Sequence, residues 1–255
     1  MIRIGTSGWH YAHWRGPFYP AKLPAARMLG HYAAHFDTVE LNNTFYRLPP
    51  PGAAETWREA VPRDFLYAAK GSRFLTHMKK LKDPVPGIER FFERIEGLGK
   101  SLGPIVFQLP PRWGPDLARL EGFVEALPPR RRYAFELRDT SWHTEEVYRI
   151  LRRHNLAFCI YDLAGLESPR LVTADFAYVR LHGPTARAYQ GSYSDAALED
   201  WARRIDGWRD ALKAVYVYFD NDQAGYAVRD ALRLKALVGD APRGIREELE
   251  HAARR

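Results

Sequence analysis

The segment FAYVRLH, residues 176–182, is the most informative one for the fold class, because its pattern predicts a hydrophobic strand with charged groups on one face. Side chains two residues apart share a face of a strand, so Tyr178, Arg180 and His182 point the same way. An isolated ion in a protein core is costly, and buried charges are therefore paired or hydrogen-bonded. The segment predicts a strand that runs from a packed interior to a polar opening.

Seven other segments read as strands, and helix-like patterns lie between most of them. The strand-like segments are residues 2–6, 38–42, 65–70, 105–109, 133–137, 157–162 and 214–220. In the intervening segments, apolar residues recur at spacings of three and four, which is typical of amphipathic helices. The exception is the link 163–175, which contains Pro169 and reads as irregular chain or a very short helix.

Eight strands that alternate with helices predict an α/β protein. In a chain of 255 residues this pattern is typical of a single (β/α)8 TIM-type barrel, which we place at residues 1–239. Residues 240–255 are expected to form a charged C-terminal tail or an appended helix. An open doubly wound sheet is the alternative fold. It usually carries G-x-G-x-x-G in its first turn, and GTSGW at residues 5–9 does not match that motif.

The composition indicates a basic intracellular protein. The chain has 38 Lys and Arg against 31 Asp and Glu, for a formal net charge of +7. This excess of basic residues favours anionic partners, although solubility or the base composition of the genome is the simpler explanation for a charge of this size. The single cysteine, Cys159, excludes a disulfide framework and fits a reducing cytosol. No stretch approaches the roughly 20 apolar residues of a membrane span, so we expect a soluble cytoplasmic protein with no membrane partner.

Polar and charged side chains gather near the carboxyl ends of the predicted strands, where the active sites of such barrels lie. They include Thr6, Glu40, Asn42, Lys70, Gln108, Glu136, Arg138, Asp162, Arg180, His182, Asp220 and Asn221. Glu136 and Arg138, for example, share a face because they are two residues apart. We expect these groups to form one polar mouth. A structural ion network that closes the barrel is the alternative interpretation.

The loops that follow the strands are rich in aromatic residues. Trp9 follows the first predicted strand and Trp142 follows the fifth. Tyr189 and Tyr193 follow the seventh, in a loop (183–193) that we expect to fold back across the mouth. Aromatic rings stack on bases and sugars, so the group predicts a ligand platform, although packing between loops explains any single ring as readily.

Signatures of the best-known cofactor and metal sites are missing from the sequence. It contains no P-loop, no H-E-x-x-H motif, no nucleophile elbow and no cysteine-based metal site. A divalent metal on the carboxylates of the mouth, together with His182, is chemically feasible because oxygen ligands suit Mg²⁺ and Mn²⁺. Lys70, Arg138 and Arg180 compete for the same carboxylates, however. We therefore predict no cofactor and assign no residue to a metal, while a divalent metal is left open.

A series of motifs runs along most of the chain. The motifs are GTSGW (5–9), VELNNTFYRLP (39–49), FLYAAKGSRFLTH (65–77), LGPIVFQLPPRW (102–113), FELRDTSW (135–142), YVRLHG (178–183), YQGSY (189–193) and YFDNDQAGYAVRDAL (218–232). This series resembles the YecE-like family, bacterial and archaeal proteins grouped as a domain of unknown function. The resemblance implies a TIM-type barrel and supplies no reaction. It also implies a shared mouth that includes Trp9, Glu40, Asn42, Lys70, Gln108, Glu136, Arg138, Trp142, Arg180, His182, Tyr193 and Asn221. One departure is Asp220, where the family usually has asparagine.

The favoured hypothesis is an enzyme that acts on a phosphorylated or otherwise anionic small molecule, a nucleotide or a sugar phosphate, by hydrolysis of a phosphate ester or a glycosidic bond. Lys70, Arg138 and Arg180 would hold the anion. Glu40 or Glu136 would act as general base, and His182 as acid or proton shuttle. The other substrate-binding candidates are Trp9, Asn42, Gln108, Trp142, Tyr189, Tyr193 and Asn221.

Two other functions stay open. The first is a metal-dependent nuclease acting on nucleic acid, which we do not favour. It needs a basic track at the mouth, but the basic run at 130–132 precedes the fifth strand and therefore belongs to the opposite end of the barrel. The second is a non-catalytic ligand-binding barrel, in which the charged groups would be structural.

Overall fold

The computed structural model describes residues 1–239. Within them, nine strands belong to one sheet. They are β1 (Ile2–Thr6), β2 (Thr38–Leu41), β3 (Leu66–Lys70), β4 (Leu102–Leu109), β5 (Tyr133–Leu137), β6 (Ala157–Leu163), β7 (Leu166–Glu167), β8 (Phe176–Leu181) and β9 (Ala214–Phe219). Their order in the sheet is β1-β9-β8-β6-β5-β4-β3-β2, and β7 pairs with β6 alone. Eight parallel strands with helices between them confirm the predicted (β/α)8 TIM-type fold class.

Helices follow most of the strands. The α-helices are α1 (Met28–Ala33), α2 (Asn43–Tyr46), α3 (Ala53–Glu59), α4 (Val85–Ile95), α5 (Leu117–Glu125), α6 (Glu145–Arg153), α7 (Asp195–Arg209) and α8 (Tyr226–Leu237). A π-helical turn covers Phe74–Met78, and short 3-10 turns include Ala12–Trp14 and Thr140–Trp142. None of the helices in residues 1–239 combines the length and the apolar character needed to cross a bilayer.

The link after β6 differs from its prediction. It contains the short strand β7, which pairs antiparallel with β6 through Leu163 and Leu166. Ala164 and Gly165 connect the two strands, and both have positive φ angles, of 53° and 80°. Two left-handed residues form the tight hairpin turn whose twist matches that of its strands. Ala at the first position hid this turn from sequence reasoning. The predicted tail at 240–255 lies outside the described residues.

The chain divides into two compact units. Among the described residues, the first unit consists of Met1–Val39, Tyr161–Ser168 and residues 179–239, and the second consists of Glu40–Ile160 and Pro169–Tyr178. Each unit has its own core and carries its own group of buried polar residues, and the two are described in turn.

In the first unit, β1 and β9 pair in parallel register from Ile2↔Val215 to Thr6↔Phe219. Gly5 brings β1 close to β2, because a Cβ atom added at Gly5 would lie 2.4 Å from the carbonyl oxygen of Thr38. A glycine at this position therefore permits the close approach. Helix α7 begins after Ser194, whose side chain accepts a hydrogen bond from the Ala197 N–H at 3.2 Å.

In the second unit, β3, β4 and β5 form a parallel ladder. The outer face of this ladder is apolar. Phe107 of β4 packs edge-on against Phe123 of α5, with ring centroids 4.9 Å apart. A Cβ atom added at Gly71 would lie 2.3 Å from the Phe107 ring, so the chain after β3 passes directly over that ring. Because side chains alternate along a strand, the opposite face of the same ladder is available for the polar residues.

Candidate functional site

Polar side chains of the second unit line one face of the β3–β4–β5 ladder. Lys70 is the register partner of Val106, and Gln108 is the partner of Glu136. Register partners in a parallel sheet point to the same side, as do residues two apart, so Lys70, Gln108 and Glu136 share a face. All three are buried, with exposed fractions of 5%, 4% and 0%. Arg138 continues the same alternation just beyond β5. This part of the predicted mouth is therefore assembled by strand register.

The charged groups of this face contact one another and an aromatic ring. Arg138 Nε donates to Glu136 Oε1 at 2.5 Å. Lys70 Nζ lies 4.3 Å from the ring centroid of Phe45 in a cation–π contact. Phe45 belongs to α2, and Thr44 of the same helix donates its hydroxyl to the Lys70 carbonyl oxygen at 2.6 Å. Helix α2 is thereby attached to the end of β3 and holds the ring against the ammonium group.

His77 joins this group, although the sequence analysis did not assign it to the site. It lies in the π-helical turn, and its ring packs perpendicular to Phe45 with centroids 5.0 Å apart. Its Nδ1 is 2.9 Å from the Thr76 hydroxyl oxygen. Burial lowers the pKa of His77 to about 4, helped by the positive charges of Lys70, Arg138 and Arg73 and opposed by Glu136. At neutral pH the imidazole is uncharged. We call Phe45, Lys70, His77, Glu136 and Arg138 the β3–β5 cluster.

Two other predicted residues of the second unit lie at the end of β2. Glu40 is buried, and its Oε2 accepts a hydrogen bond from the Tyr178 hydroxyl at 2.6 Å. Asn42 directly precedes α2, and its buried Oδ1 has no hydrogen-bond partner among the described residues. A carboxylate with a phenol partner is held in one orientation. The unpartnered amide oxygen is a buried acceptor that a ligand donor would satisfy.

Trp142 is placed differently from the expectation of a ligand platform. Its side chain is fully buried, its indole N–H donates to the Trp113 carbonyl oxygen, and the two indole rings pack with centroids 5.1 Å apart. The ring thus fills the interior of the loops that follow β4 and β5. This arrangement favours the packing interpretation for Trp142.

In the first unit, Arg180, His182 and Asp220 form a closed triangle. Arg180 Nη2 donates to Asp220 Oδ2 at 3.2 Å, and His182 Nδ1 lies 3.0 Å from the same oxygen. Arg180 Nη1 lies 3.3 Å from His182 Nε2. Because a guanidinium only donates, Nε2 is the acceptor, and the ring proton is on Nδ1, which donates to Asp220. The triangle therefore fixes the orientation and tautomer of a fully buried imidazole.

A second layer of hydrogen bonds holds the backbone at His182. The His182 N–H donates to Asp162 Oδ1 at 2.8 Å, and the Tyr193 hydroxyl donates to Asp162 Oδ2 at 2.6 Å. The same hydroxyl accepts from the Gly183 N–H at 2.9 Å. Burial raises the pKa of Asp162, against the lowering effect of the Tyr193 hydrogen bond. Burial also raises the pKa of the Tyr193 phenol, and the Asp162 charge adds to this. We call Asp162, Arg180, His182, Tyr193 and Asp220 the β8–β9 cluster.

The loop 183–193 folds back over His182, as expected from its sequence. The Tyr189 N–H donates to the His182 carbonyl oxygen at 2.6 Å, and the two rings meet edge-on with centroids 5.5 Å apart. Tyr189 has a left-handed φ of 65° and is 40% exposed. At Gly183 a Cβ atom would lie 2.4 Å from the Gln190 carbonyl oxygen, so the loop closes tightly on its own base. The phenol thus covers the imidazole.

Asn221 anchors the far end of this loop. Its Nδ2 donates to the Gly191 carbonyl oxygen and to Asp230 Oδ2, both at 2.8 Å. Asp230 also accepts from the backbone N–H of Tyr193 at 2.9 Å. Asn221 Oδ1 is buried without a partner among residues 1–239. Trp9 is half-buried in the loop after β1, where its carbonyl oxygen accepts a hydrogen bond from the Tyr19 hydroxyl. These contacts support an anchoring role for Asn221.

A buried carboxylate beside these residues was also missed by sequence reasoning. Asp222 accepts a hydrogen bond from the Trp14 indole N–H, and its Oδ2 lies 3.2 Å from His13 Nε2. Burial raises the pKa of Asp222 to about 6, against the lowering effects of Trp14 and His13. The sequence signal that could have revealed this contact is the pair His13 and Trp14 in the aromatic loop after β1.

The structure distributes the predicted site residues between the two units. The first unit holds Trp9, Arg180, His182, Tyr189, Tyr193 and Asn221, and the second holds Glu40, Asn42, Lys70, Gln108, Glu136, Arg138 and Trp142. In residues 1–239 no group of three or more His, Cys, Asp and Glu side chains is arranged to hold a metal ion. The basic run at 130–132 precedes β5, and Arg131 lies 5.5 Å from the ring of Phe92.

Comparisons with known proteins agree with this fold. A sequence profile described as "Protein of unknown function DUF72" matches residues 3–254. The UPF0759 protein YecE of Escherichia coli is 32% identical over 139 residues, which cover 54% of this chain and 48% of YecE. The chain thus matches about half the length of that relative. The UPF0759 protein YunF of Bacillus subtilis is 23% identical, over 96% of this chain and 99% of YunF.

Solved structures extend the likeness to nearly the whole chain. A DUF72 family protein of Thermotoga maritima superimposes with a TM-score of 0.85 at 31% identity, over 94% of this chain and 99% of the other. A DUF72 family protein of Enterococcus faecalis has a TM-score of 0.82 at 21% identity, over 94% of this chain and 96% of the other, and it supports the fold alone. Since the profile match covers residues 3–254, the chain belongs to the DUF72 family of proteins of unknown function.

Proposed function

We propose that this protein is a hydrolytic enzyme for phosphorylated or otherwise anionic small molecules, such as nucleotides or sugar phosphates, and that it binds the anion at the β3–β5 cluster. The observation that carries the proposal is the pair of cations at the carboxyl end of one sheet face, the buried Lys70 and the partly exposed Arg138. Active sites of (β/α)8 barrels lie at this end of the strands. Two cations beside Glu136 favour an anionic ligand.

The chemistry of the two cations suits a phosphoryl group. A guanidinium presents five N–H donors in a planar fork that matches phosphate oxygens, and the contact to Glu136 uses the Nε donor of Arg138. Lys70 adds a compact charge held over the Phe45 ring at 4.3 Å. Arg180, which the sequence analysis also assigned to the anion, donates to Asp220, and the proposal does not depend on it.

Glu136 is the proposed general base. In the ligand-free arrangement its Oε1 accepts from Arg138. A substrate anion that draws Arg138 toward itself weakens this hydrogen bond, and a carboxylate that loses a cationic partner becomes more basic. Glu40, held by Tyr178, is the second carboxylate candidate. His182, the other catalytic candidate, has its Nδ1 committed to Asp220, and the proposal does not depend on it.

Binding is the first test. Isothermal titration of the purified protein with sulfate, inorganic phosphate and a nucleoside monophosphate should show a saturable site, weakened at least tenfold in Lys70→Met. Methionine keeps the length of the apolar stem while removing the charge. The matched control is Arg152→Gln in the same unit, which removes a surface cation paired with Glu145 and should bind like the wild type. No saturable anion binding, or equal binding by folded Lys70→Met, would overturn the proposal.

Turnover is the second test. A panel of phosphomonoesters, phosphodiesters and aryl glycosides, with single-stranded DNA and RNA as further substrates, should reveal one hydrolysed class. Glu136→Gln should then lower turnover by about 10²–10⁴-fold, the usual contribution of a general base. Anion binding without turnover of any substrate would instead favour the ligand-binding alternative. Cleavage of the nucleic acids alone, abolished by a chelator, would favour the nuclease.

A further inference from the structure

We propose that His77 contacts the bound anion directly and takes up a proton when a dianion binds to the β3–β5 cluster. The inference rests on the proposed function, and it adds a residue and a substrate preference to that site. It favours ligands that end in a dianionic group, such as a phosphomonoester, over monoanionic diesters.

The geometry places His77 beside the anion-binding cations through a shared aromatic ring. Lys70 Nζ lies over the face of Phe45, 4.3 Å from its centroid, and the His77 ring meets Phe45 perpendicularly at 5.0 Å. The π-helical turn Phe74–Met78 is fixed at its end by the Lys79 N–H, which donates to the Phe74 carbonyl oxygen at 2.9 Å. Single π-helical turns are often found at functional sites. Because both groups contact the one ring, Lys70 Nζ and the centre of the His77 imidazole are at most about 9 Å apart, and the proposed anion lies between them.

One nitrogen of the imidazole is already positioned by the protein. His77 Nδ1 is 2.9 Å from the hydroxyl oxygen of Thr76, whose side chain is buried. A hydroxyl can donate to or accept from this nitrogen, so the contact persists whether Nδ1 carries a proton or not. Nε2 is the nitrogen left for a ligand contact, and in the protonated ring it is a donor that suits an anionic oxygen.

The charged groups around His77 explain the proton uptake. Lys70 of β3, Arg138 just beyond β5 and Arg73 just before the π-helical turn all lower its pKa, and Glu136 of β5 raises it. Together with burial they hold the imidazole neutral, with a pKa of about 4 in the ligand-free protein. A bound dianion adds two negative charges to this positive environment and raises the pKa of His77. Between pH 4 and the raised pKa, binding and protonation are therefore linked.

The test follows the His77 side-chain resonance by NMR in wild-type protein, with the signal identified by its absence in His77→Gln. From pH 4.5 to 8 without sulfate, the signal should remain at its neutral position until the acid end of the range. With saturating sulfate, which is a dianion throughout, the midpoint should move up by at least about one pH unit, which corresponds to at least roughly twofold tighter sulfate binding at pH 5 than at pH 8. In His77→Gln that pH dependence should be lost.

Two controls separate the outcomes. Methyl sulfate, a monoanion of similar shape, should move the midpoint less than sulfate does. His154→Asn, a histidine variant in the same unit but before β6, should leave the His77 shift intact. Sulfate binding that is lost in Lys70→Met but leaves the His77 midpoint unchanged would overturn this inference and leave the proposed function standing. A lack of any sulfate binding would overturn both.

Discussion

The two buried polar clusters of this protein handle their charges differently. In the β8–β9 cluster, Arg180 donates to Asp220, His182 donates to the same carboxylate, and the Tyr189 ring lies above them. In the β3–β5 cluster, burial and then the positive charges of Lys70, Arg138 and Arg73 lower the pKa of His77 against the effect of Glu136, so the imidazole is neutral. Compensated charge orients groups within a fold, whereas excess positive charge attracts a ligand. The comparison assigns the first cluster to orientation and the second to recognition.

The largest expected difference between the clusters is in the free energy of unfolding. Arg180→Met leaves the Asp220 carboxylate and the His182 imidazole buried without their cation, and should cost about 3–5 kcal/mol. Arg138→Met removes a partly exposed side chain and leaves Glu136 with Lys70 on the same sheet face, so it should cost less, about 1–3 kcal/mol. Urea unfolding of both variants measures the contrast.

The control for this contrast is Asp220→Asn, because asparagine is the residue that the family resemblance implies at this position. An amide oxygen still accepts from Arg180, so this variant should lose less stability than Arg180→Met. If Arg138→Met costs as much as Arg180→Met, the division between an orienting and a recognising cluster is wrong.

A smaller effect is expected at the hydrogen bonds behind His182. Tyr193→Phe removes the hydroxyl that donates to Asp162 and accepts from the Gly183 N–H. Two buried polar groups lose a partner, so the variant should lose about 1–3 kcal/mol of stability. Sulfate affinity should stay within a factor of two, because the cations of the second unit are untouched. A large loss of sulfate affinity in this folded variant would contradict the separation of roles.

The smallest expected effects are on the pH dependence of stability. Asp222 of the first unit and His77 of the second should change it in opposite directions. The pKa of Asp222 is raised to about 6 in the folded protein, so the folded state binds this proton more tightly than the unfolded state. Its contribution to stability is present at low pH and is lost as pH rises through about 6. Asp222→Asn keeps an acceptor for Trp14 and should gain about 1 kcal/mol at pH 7 relative to wild type.

His77 gives the opposite slope. Its pKa is lowered from 6.5 to about 4 in the folded protein, so the unfolded state binds this proton more tightly. Its contribution to stability is present above pH 6.5 and is lost as pH falls toward 4. His77→Gln should reduce the loss of stability at acid pH by about 1 kcal/mol, after allowance for solvent screening. Thermal unfolding from pH 4 to 8 compares the slopes of the two variants, and matching slopes would contradict this assignment of charges.

The alternation of side chains along each strand could be predicted from the sequence, because it is a local property. The shared face of Glu136 and Arg138 follows from their spacing of two residues, and so does the line from Tyr178 through Arg180 to His182. The register that brings Lys70, Gln108 and Glu136 together came from the structure. The (β/α)8 class follows from a different alternation, that of strand-like and helix-like segments along the chain.

Loop contacts could not be predicted, because they depend on which segments meet in three dimensions. His77 lies several residues beyond the end of β3, in a π-helical turn that has no regular sequence period. Trp142 was expected to form part of a ligand platform, but its indole N–H finds a carbonyl acceptor in the loop after β4 and the ring is buried there. Tyr189 was anticipated in a loop that folds back across the mouth, because it follows the seventh predicted strand.

Anomalous diffraction from crystals soaked in selenate at pH 6 tests the central claim most directly. Selenate is a dianion with the shape of phosphate, and its selenium atom can be located without ambiguity. The account predicts a selenium peak at the β3–β5 cluster, with its oxygens within hydrogen-bond distance of Lys70 Nζ, Arg138 and His77 Nε2. Crystals of Lys70→Met should lack this peak. Selenium bound only elsewhere, such as beside the basic run at 130–132, would contradict the claim that excess positive charge at this cluster recognises an anion.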